Sequence, residues 1–366
     1  MNGIFVIFLI LVLFSLLEST NLSNNIKSFL WFIASVLVLF TLGLGYKVGV
    51  DWVAYQENYY HNNFESFEAL YSALSVFSAS LGMNFWFFAI AIKSINTLLL
   101  LVIFKRYTKL PLLAVTIFFA LTYPYINDVL RQVLASIVLL SSFLIIKRYP
   151  SIFSIVIASG FHISSLVLLL GKLNFFKRST KKFTLILVLG SLAIGSLFIG
   201  FLTSGVFSSF NYLAISKLQM YAEDSKVANL YSSLVRISIF ALALYFQFKI
   251  KIIHSKVDDW VYRATLLMLL IEILTISIPL ISQRVRIYFL PFVCIALANG
   301  IYKLPKGVKT ITIGYILSYC SIFLYLFTTG VFGNFYQLDM NIIIQFIKGF
   351  PSNNWESAAF NFWNYR

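Results

Sequence analysis

Charge is scarce in this chain. Asp, Glu, Lys and Arg make up 11% of its 366 residues, while 60% are hydrophobic. No soluble domain can bury that much apolar surface, so the composition excludes the soluble classes and points to a polytopic membrane protein. No stretch of about 60 residues is polar enough to form a separate soluble domain. Cysteine is nearly absent as well. Cys294 and Cys320 lie inside apolar runs, with no CxxC and no paired spacing, which excludes a disulfide framework and a thiolate metal site. The three histidines are far apart in sequence, so no His-based metal cluster is expected, and no metal or other cofactor. The chain has no GxxxxGK[ST] run and no dinucleotide fingerprint, which excludes a bound ATPase. No internal repeat is visible, which weighs against a transporter built from repeats.

Basic residues are present in excess, 28 against 13 acidic, for a net charge of +15. They fall in clusters between apolar runs. That is the pattern of topology, with Lys and Arg retained on the cytoplasmic side, and it speaks against nucleic-acid binding. The clusters are 104–109, 147–151, 171–182, 249–263 and 303–309. Opposite them lie the expected outer loops 47–83, 125–131, 204–230 and 282–286, with an outer tail at 329–366. Apolar runs long enough to cross occur at roughly 3–17, 28–46, 84–104, 110–124, 132–146, 183–203, 231–248, 264–281, 285–302 and 310–328. The first has no basic flank and no small-residue cleavage site, and is expected to be a retained helix.

The expected fold is therefore all-α: one integral membrane domain over 1–366, a bundle of about 10–12 spans. One segment resists this scheme. Residues 147–151 and 171–182 are both basic, yet only one apparent span, 151–171, lies between them. A full crossing would turn three later basic loops outward. The cheaper solution is a re-entrant or broken segment, with Gly160, Phe161 and His162 at the break. The alternative is a crossing whose basic outer loop grips a polyanion.

The candidate chemistry clusters on the expected outer side. In "YPYINDVLRQVLASIVLL" (123–140), Arg131 heads an apolar helix, with Asp128 one turn earlier and Gln132 beside it. Asp128, at i−3, is placed to orient the guanidinium. A planar, always-charged fork suits a phosphate or pyrophosphate better than a lysine does; the plainer reading is an arginine snorkelling to headgroups. "SQRVRIYFLPF" repeats the situation. Arg284 and Arg286 point about 200° apart on a regular helix, so either the turn is irregular or only one faces a site. After the second expected span, "YKVGVDWVAYQENYY" offers Asp51 and, at i+4, Tyr55, and the loop continues to Glu65 and Glu68. Carboxylates beside aromatic rings suit carbohydrate, acids gripping hydroxyls and rings covering C–H faces; a solvated loop is the alternative. His162 lies in "ASGFHISS", flanked by small and hydroxyl residues, as a catalyst or a hydrogen-bonded structural residue. Lys93 and Glu272 are charges within apolar runs, expected to pair with each other or with Arg236.

Together "GVDWVAY", "FEALYSAL", "DVLRQVLASIVLLSSFLIIKRYPSIFSIVIASGFHISSLVLLL", "KLQMY" and "RVRIYFLPF" resemble the EpsG/Wzy-type polysaccharide polymerase family over roughly residues 40–300. The most specific part is the RQ-x-LA helix followed about 30 residues later by FH-x-S. Lys47 stands where the family commonly has Arg, and Glu68 is followed by Ala-Leu-Tyr where Pro-Gly-Tyr is usual. The resemblance implies a bacterial cytoplasmic-membrane glycosyltransferase with its active site facing the periplasm or exterior. Its donor is a glycan on undecaprenyl pyrophosphate, moved onto another lipid-linked repeat unit of O-antigen, capsule or exopolysaccharide. It implies catalytic roles among Arg131, Asp51, His162, Arg284 and Arg286, and substrate contacts from Glu68, Gln132, Asp128, Tyr55, Tyr221 and Tyr288. A chain-length regulator is an implied partner. The alternatives are a flippase or exporter of lipid-linked oligosaccharide, and an O-antigen ligase.

Overall fold

The computed structural model describes residues 3–20, 22–46, 48–49, 51–61, 67–146, 150–173, 176, 183–191, 193–194, 229–249, 256–276 and 279–329. Among these the chain is helical and has no strand, as the apolar runs predict. The helices are α1 (Gly3–Glu18), α2 (Asn24–Val38, extended by a π-helical turn, Leu39–Gly43), α3 (Trp52–His61), α4 (Ala69–Ser80), α5 (Phe85–Tyr107), α6 (Pro111–Asp128), α7 (Leu130–Ile146) and α8 (Ile152–Phe161). A 3-10 run follows at Ile163–Lys172, then α9 (Asn229–Lys249), α10 (Lys256–Leu274), α11 (Pro279–Tyr302) and α12 (Lys306–Thr329).

Local sequence sets the boundaries. Asn84 starts α5 by accepting from Trp86 N at 2.9 Å, and Ser151 starts α8 by accepting from Ser154 N at 3.0 Å; each satisfies an otherwise orphaned first-turn donor. Pro111 opens α6, where its missing N–H costs nothing. Lys105 and Arg106 close α5, where cations complement the helix dipole.

Among the described residues four helices are long and apolar enough to cross a bilayer: Asn24–Gly43, Phe85–Tyr107, Ile281–Tyr302 and Lys306–Thr329. They coincide with the expected runs 28–46, 84–104, 285–302 and 310–328. The runs at 3–17, 110–124, 132–146 and 231–248 are also helical and apolar, but shorter. Phe29, Phe32, Ile145, Ile311 and Leu326 are exposed. Such bare apolar faces suit lipid, not water. The 151–171 segment is broken where expected: α8 ends at Phe161, His162 is extended (φ −159°, ψ 120°), and the 3-10 run begins. Of 183–203 only 183–191, 193 and 194 are described; 204–228 and 330–366 lie outside the described residues.

The chain packs as two compact units, Met1–Leu166 with Ile313–Arg366, and Val167–Thr312. In the first, α6 runs against α1 and α5 packs on α7. Lipid supplies no hydrophobic drive between helices, so small residues and hydrogen bonds carry association, each bond worth about 0.6–2 kcal/mol. Ser15 Oγ meets Thr116 Oγ1 at 2.7 Å between α1 and α6. Ser154 Oγ donates to Ser142 Oγ at 2.8 Å between α8 and α7. Both oxygens of Glu18 accept from the α6 amides of Leu112 and Leu113, each at 3.1 Å. Gly160 admits the Leu70 side chain, where a Cβ would collide with it, so α4 lies directly on α8. In the second unit, α10 is the central helix, buried from Trp260 through Ile273. It packs on α9 and α11, with Trp260 edge-on to Phe292 at 4.9 Å.

Candidate functional site

Arg131 sits where two helices meet end to end. Val129 (φ −103°, ψ 57°) interrupts the helix between α6 and α7, so Arg131 is the second residue of a new helix. A cation there opposes the helix dipole, and a helix start already favours anions. The position is unfavourable for arginine unless a negative partner stands close. That partner is Glu68, whose Oε2 lies 2.5 Å from Arg131 Nη1. Glu68 is the residue before α4, yet its carboxylate makes no cap there. Its Oε1 instead accepts from Ile163 N at 3.2 Å, at the break after α8. One carboxylate thus ties α4, α7 and the break together.

Aromatic rings complete the cage. The Arg131 guanidinium carbon lies 4.5 Å from the Phe67 ring centroid and 5.9 Å from that of Tyr55. Tyr55 stacks on Phe67 at 5.6 Å, and Tyr71 closes the wall edge-on to Phe67 at 5.3 Å. Flat rings hold the plane of the fork, and the side chain stays part-exposed. Burial pushes the Tyr71 phenol above its ordinary range, with Tyr55 adding to the effect. Tyr71 therefore stays neutral and is a wall, not a base.

Asp128 does not orient Arg131. Its Oδ1 accepts from Asp51 N at 3.3 Å. The i−3 relation fails because the helix is interrupted at Val129, so the two residues do not share a helical face. Asp128 instead anchors the turn that delivers Asp51 to the start of α3, where the Asp51 carbonyl accepts from Tyr55 N at 3.3 Å. Gly49 makes that turn (φ +94°), and a side chain there would also strike the Asp128 carboxylate. Beneath lies Lys93, 3% exposed. Its ammonium donates to Gly45 O at 3.1 Å and Asn127 Oδ1 at 3.5 Å, with Asp128 as electrostatic partner. Lys93 pairs with these groups and not with Glu272. Gln132 and His162 are both joined to Ser164: Gln132 Nε2 donates to Ser164 Oγ at 3.3 Å, and His162 Nδ1 is 2.7 Å from the same oxygen.

Arg236, Glu272 and Arg286 meet within the second unit. Arg236 Nε is 2.6 Å from Glu272 Oε1, and Arg286 Nη2 is 3.4 Å from Oε2. The Glu272–Arg236 pairing is as expected, and it ties α9, α10 and α11. The turn carrying Arg284 and Arg286 is regular helix, so they diverge: Arg286 is fully buried and Arg284 half-buried. Tyr288 is buried in the same helix. Tyr221 and Glu65 lie outside the described residues.

Among the described residues no three His, Cys, Asp or Glu side chains cluster. Sequence reasoning missed Phe67 and Ser164. Both flank residues it did single out, and only the fold shows that they face Arg131 and His162.

An all-helical membrane bundle with a caged arginine at a helix start is the class that fold and site define. The chain belongs to the EpsG family, whose model matches residues 28–340, and is a multi-pass membrane protein of polysaccharide-polymerase type. Neither a curated protein nor a solved structure matches it.

Proposed function

We propose that the chain polymerises undecaprenyl-pyrophosphate-linked repeat units on the outer face of a bacterial cytoplasmic membrane. The observation that carries this reading is the Arg131 cage. Its guanidinium is held flat and part-accessible at a helix start, where two sources of positive potential coincide. In the reaction the acceptor sugar hydroxyl attacks the anomeric carbon of the donor glycan. A new C–O bond forms as the bond to the lipid pyrophosphate breaks, and the electron pair leaves on a phosphate oxygen. Arg131 faces that developing charge, the largest lever such a site has. The acceptor proton passes to a carboxylate, for which Asp51 is our candidate; base catalysis of this kind contributes about 10²–10⁴-fold. Glu68 is less suited, since both its oxygens are already engaged by Arg131 and Ile163 N.

Arg286, enclosed with Glu272, is better suited to holding its bundle, while Arg284 is half-buried. The test is purified protein supplied with lipid-linked repeat unit and no nucleotide sugar. A ladder of glycan lengths on a gel is the expected product. Translocation of the intact lipid without lengthening would favour a flippase, and transfer only to a different acceptor would favour a ligase.

A further inference from the structure

The break after α8 carries a polar chain whose hydrogens can be assigned one from the next. The backbone N–H of Ser164 points at His162 Nδ1, 3.2 Å away. An amide N–H only donates, so Nδ1 is the accepting, unprotonated nitrogen, and the proton of the neutral ring sits on Nε2. Ser164 Oγ lies 2.7 Å from the same Nδ1. With no proton to receive there, the hydroxyl donates. It then accepts from Gln132 Nε2 at 3.3 Å, which turns Gln132 Oε1 away from Ser164. That oxygen is buried and has no hydrogen-bond partner among the described residues, on a side chain 1% exposed. One backbone N–H thus fixes a tautomer, a hydroxyl rotor and an amide.

We infer that His162 works as a neutral Nε2–H donor to an oxygen of the substrate, and that Gln132 Oε1 accepts from a substrate hydroxyl. The inference rests on the polymerase reading and deepens it. Glu68 ties Arg131 to Ile163 N and Gln132 bonds Ser164 in the same break, so the subsite pairs a phosphate-facing cation with a hydroxyl acceptor, the two chemistries of a glycosyl pyrophosphate. His162 is thereby removed as the base. A proton on Nδ1 would set two donors face to face, and Nε2 already carries its own. A neutral imidazole can still stabilise an oxyanion as a donor. Among the charged groups near the break are Glu68, which accepts from Ile163 N at 3.2 Å, and Arg131, which Glu68 holds. No proton moves at His162; the acceptor proton goes to the carboxylate.

The tautomer is tested without activity. The full chain, with His61→Gln and His254→Gln leaving one ring, is labelled with 15N-histidine in lipid nanodiscs. Nitrogen NMR at pH 7 should show Nδ1 bare and Nε2 protonated. A protonated Nδ1, or an imidazolium, overturns the assignment. The role is tested by ladder assays from pH 6 to 9. His162→Gln, which offers an amide N–H, should stay within about tenfold of wild type, the scale of one hydrogen bond. It should also keep the wild-type pH profile, and His162→Ala should fall below it. A glutamine variant as inactive as alanine, with loss of a rising limb near the imidazole range, restores the base role. A wild-type chain that makes no ladder sinks the polymerase reading alone, and the NMR result still decides the tautomer.

Discussion

Among the described residues two glutamates hold arginines, under opposite conditions. Glu68 and Arg131 keep 19% and 20% of their side chains accessible, whereas Glu272, Arg236 and Arg286 keep 1%, 2% and 0%. The difference separates function from architecture. A fully enclosed ion cluster repays its desolvation only while every member is present, so it fixes one packing of three helices. A part-open pair gives up little when its carboxylate is exchanged for a ligand phosphate. Sharing chemistry, the clusters differ in what their loss should do.

The largest expected effect is on folding. Glu272→Gln leaves two enclosed guanidiniums without their carboxylate, and removing one partner of a buried pair costs about 3–5 kcal/mol. Yield of monodisperse protein in mild detergent should collapse. Normal yield would show that the enclosed cluster does not hold the bundle. Arg131→Ala comes next: polymer should disappear while abundance and elution volume stay at wild-type values. If Arg131→Ala lowers abundance as Glu272→Gln does, the two clusters play the same role and the distinction falls.

Glu68→Gln sharpens the comparison further. Glutamine keeps one acceptor where Glu68 uses two, so its NH2 faces either Ile163 N–H or the guanidinium, and the charge that orients Arg131 is gone. Misplacing a substrate-binding group by about 1 Å costs up to about 10²-fold, so turnover should drop within that range without loss of protein. Wild-type turnover would mean that the rings alone hold Arg131. The smallest effect is expected at Tyr71. Burial raises its phenol pKa, so the ring carries no charge anywhere in the working range. Tyr71→Phe should leave the shape of the pH–rate profile unchanged between pH 6 and 9. A lost limb would put Tyr71 in the proton path.

Much of this was legible in the sequence, and the residues that were not share a cause. The helical class, the position of four spans and the break at His162 follow from apolar run length and the basic residues on either side of 151–171. Arg131 was legible because a charge at the head of an apolar run is costly. Its partner was misread. Asp128 stands at the right helical spacing, but Val129 interrupts the helix, and a single non-helical residue carries no signature in composition. Glu68 lies 63 positions away from Arg131, and only tertiary packing brings it close. Lys93 was misread for the same reason: its acceptors, Gly45 O and Asn127 Oδ1, are uncharged, and only the fold brings Asp128 near it. At 284–286 both alternatives were on the page, and the regularity of α11 chose between them.

The measurement closest to the central claim compares wild type with Arg131→Lys. Both are purified and given lipid-linked repeat unit without nucleotide sugar, and the products are resolved by length. A lysine keeps the charge but loses the flat, two-pronged fork and its stacking on Phe67. Wild type should give a ladder, and Arg131→Lys should leave the repeat unit almost unextended at equal protein abundance. A lysine variant with wild-type polymer length and yield would contradict the account and remove Arg131 from the site.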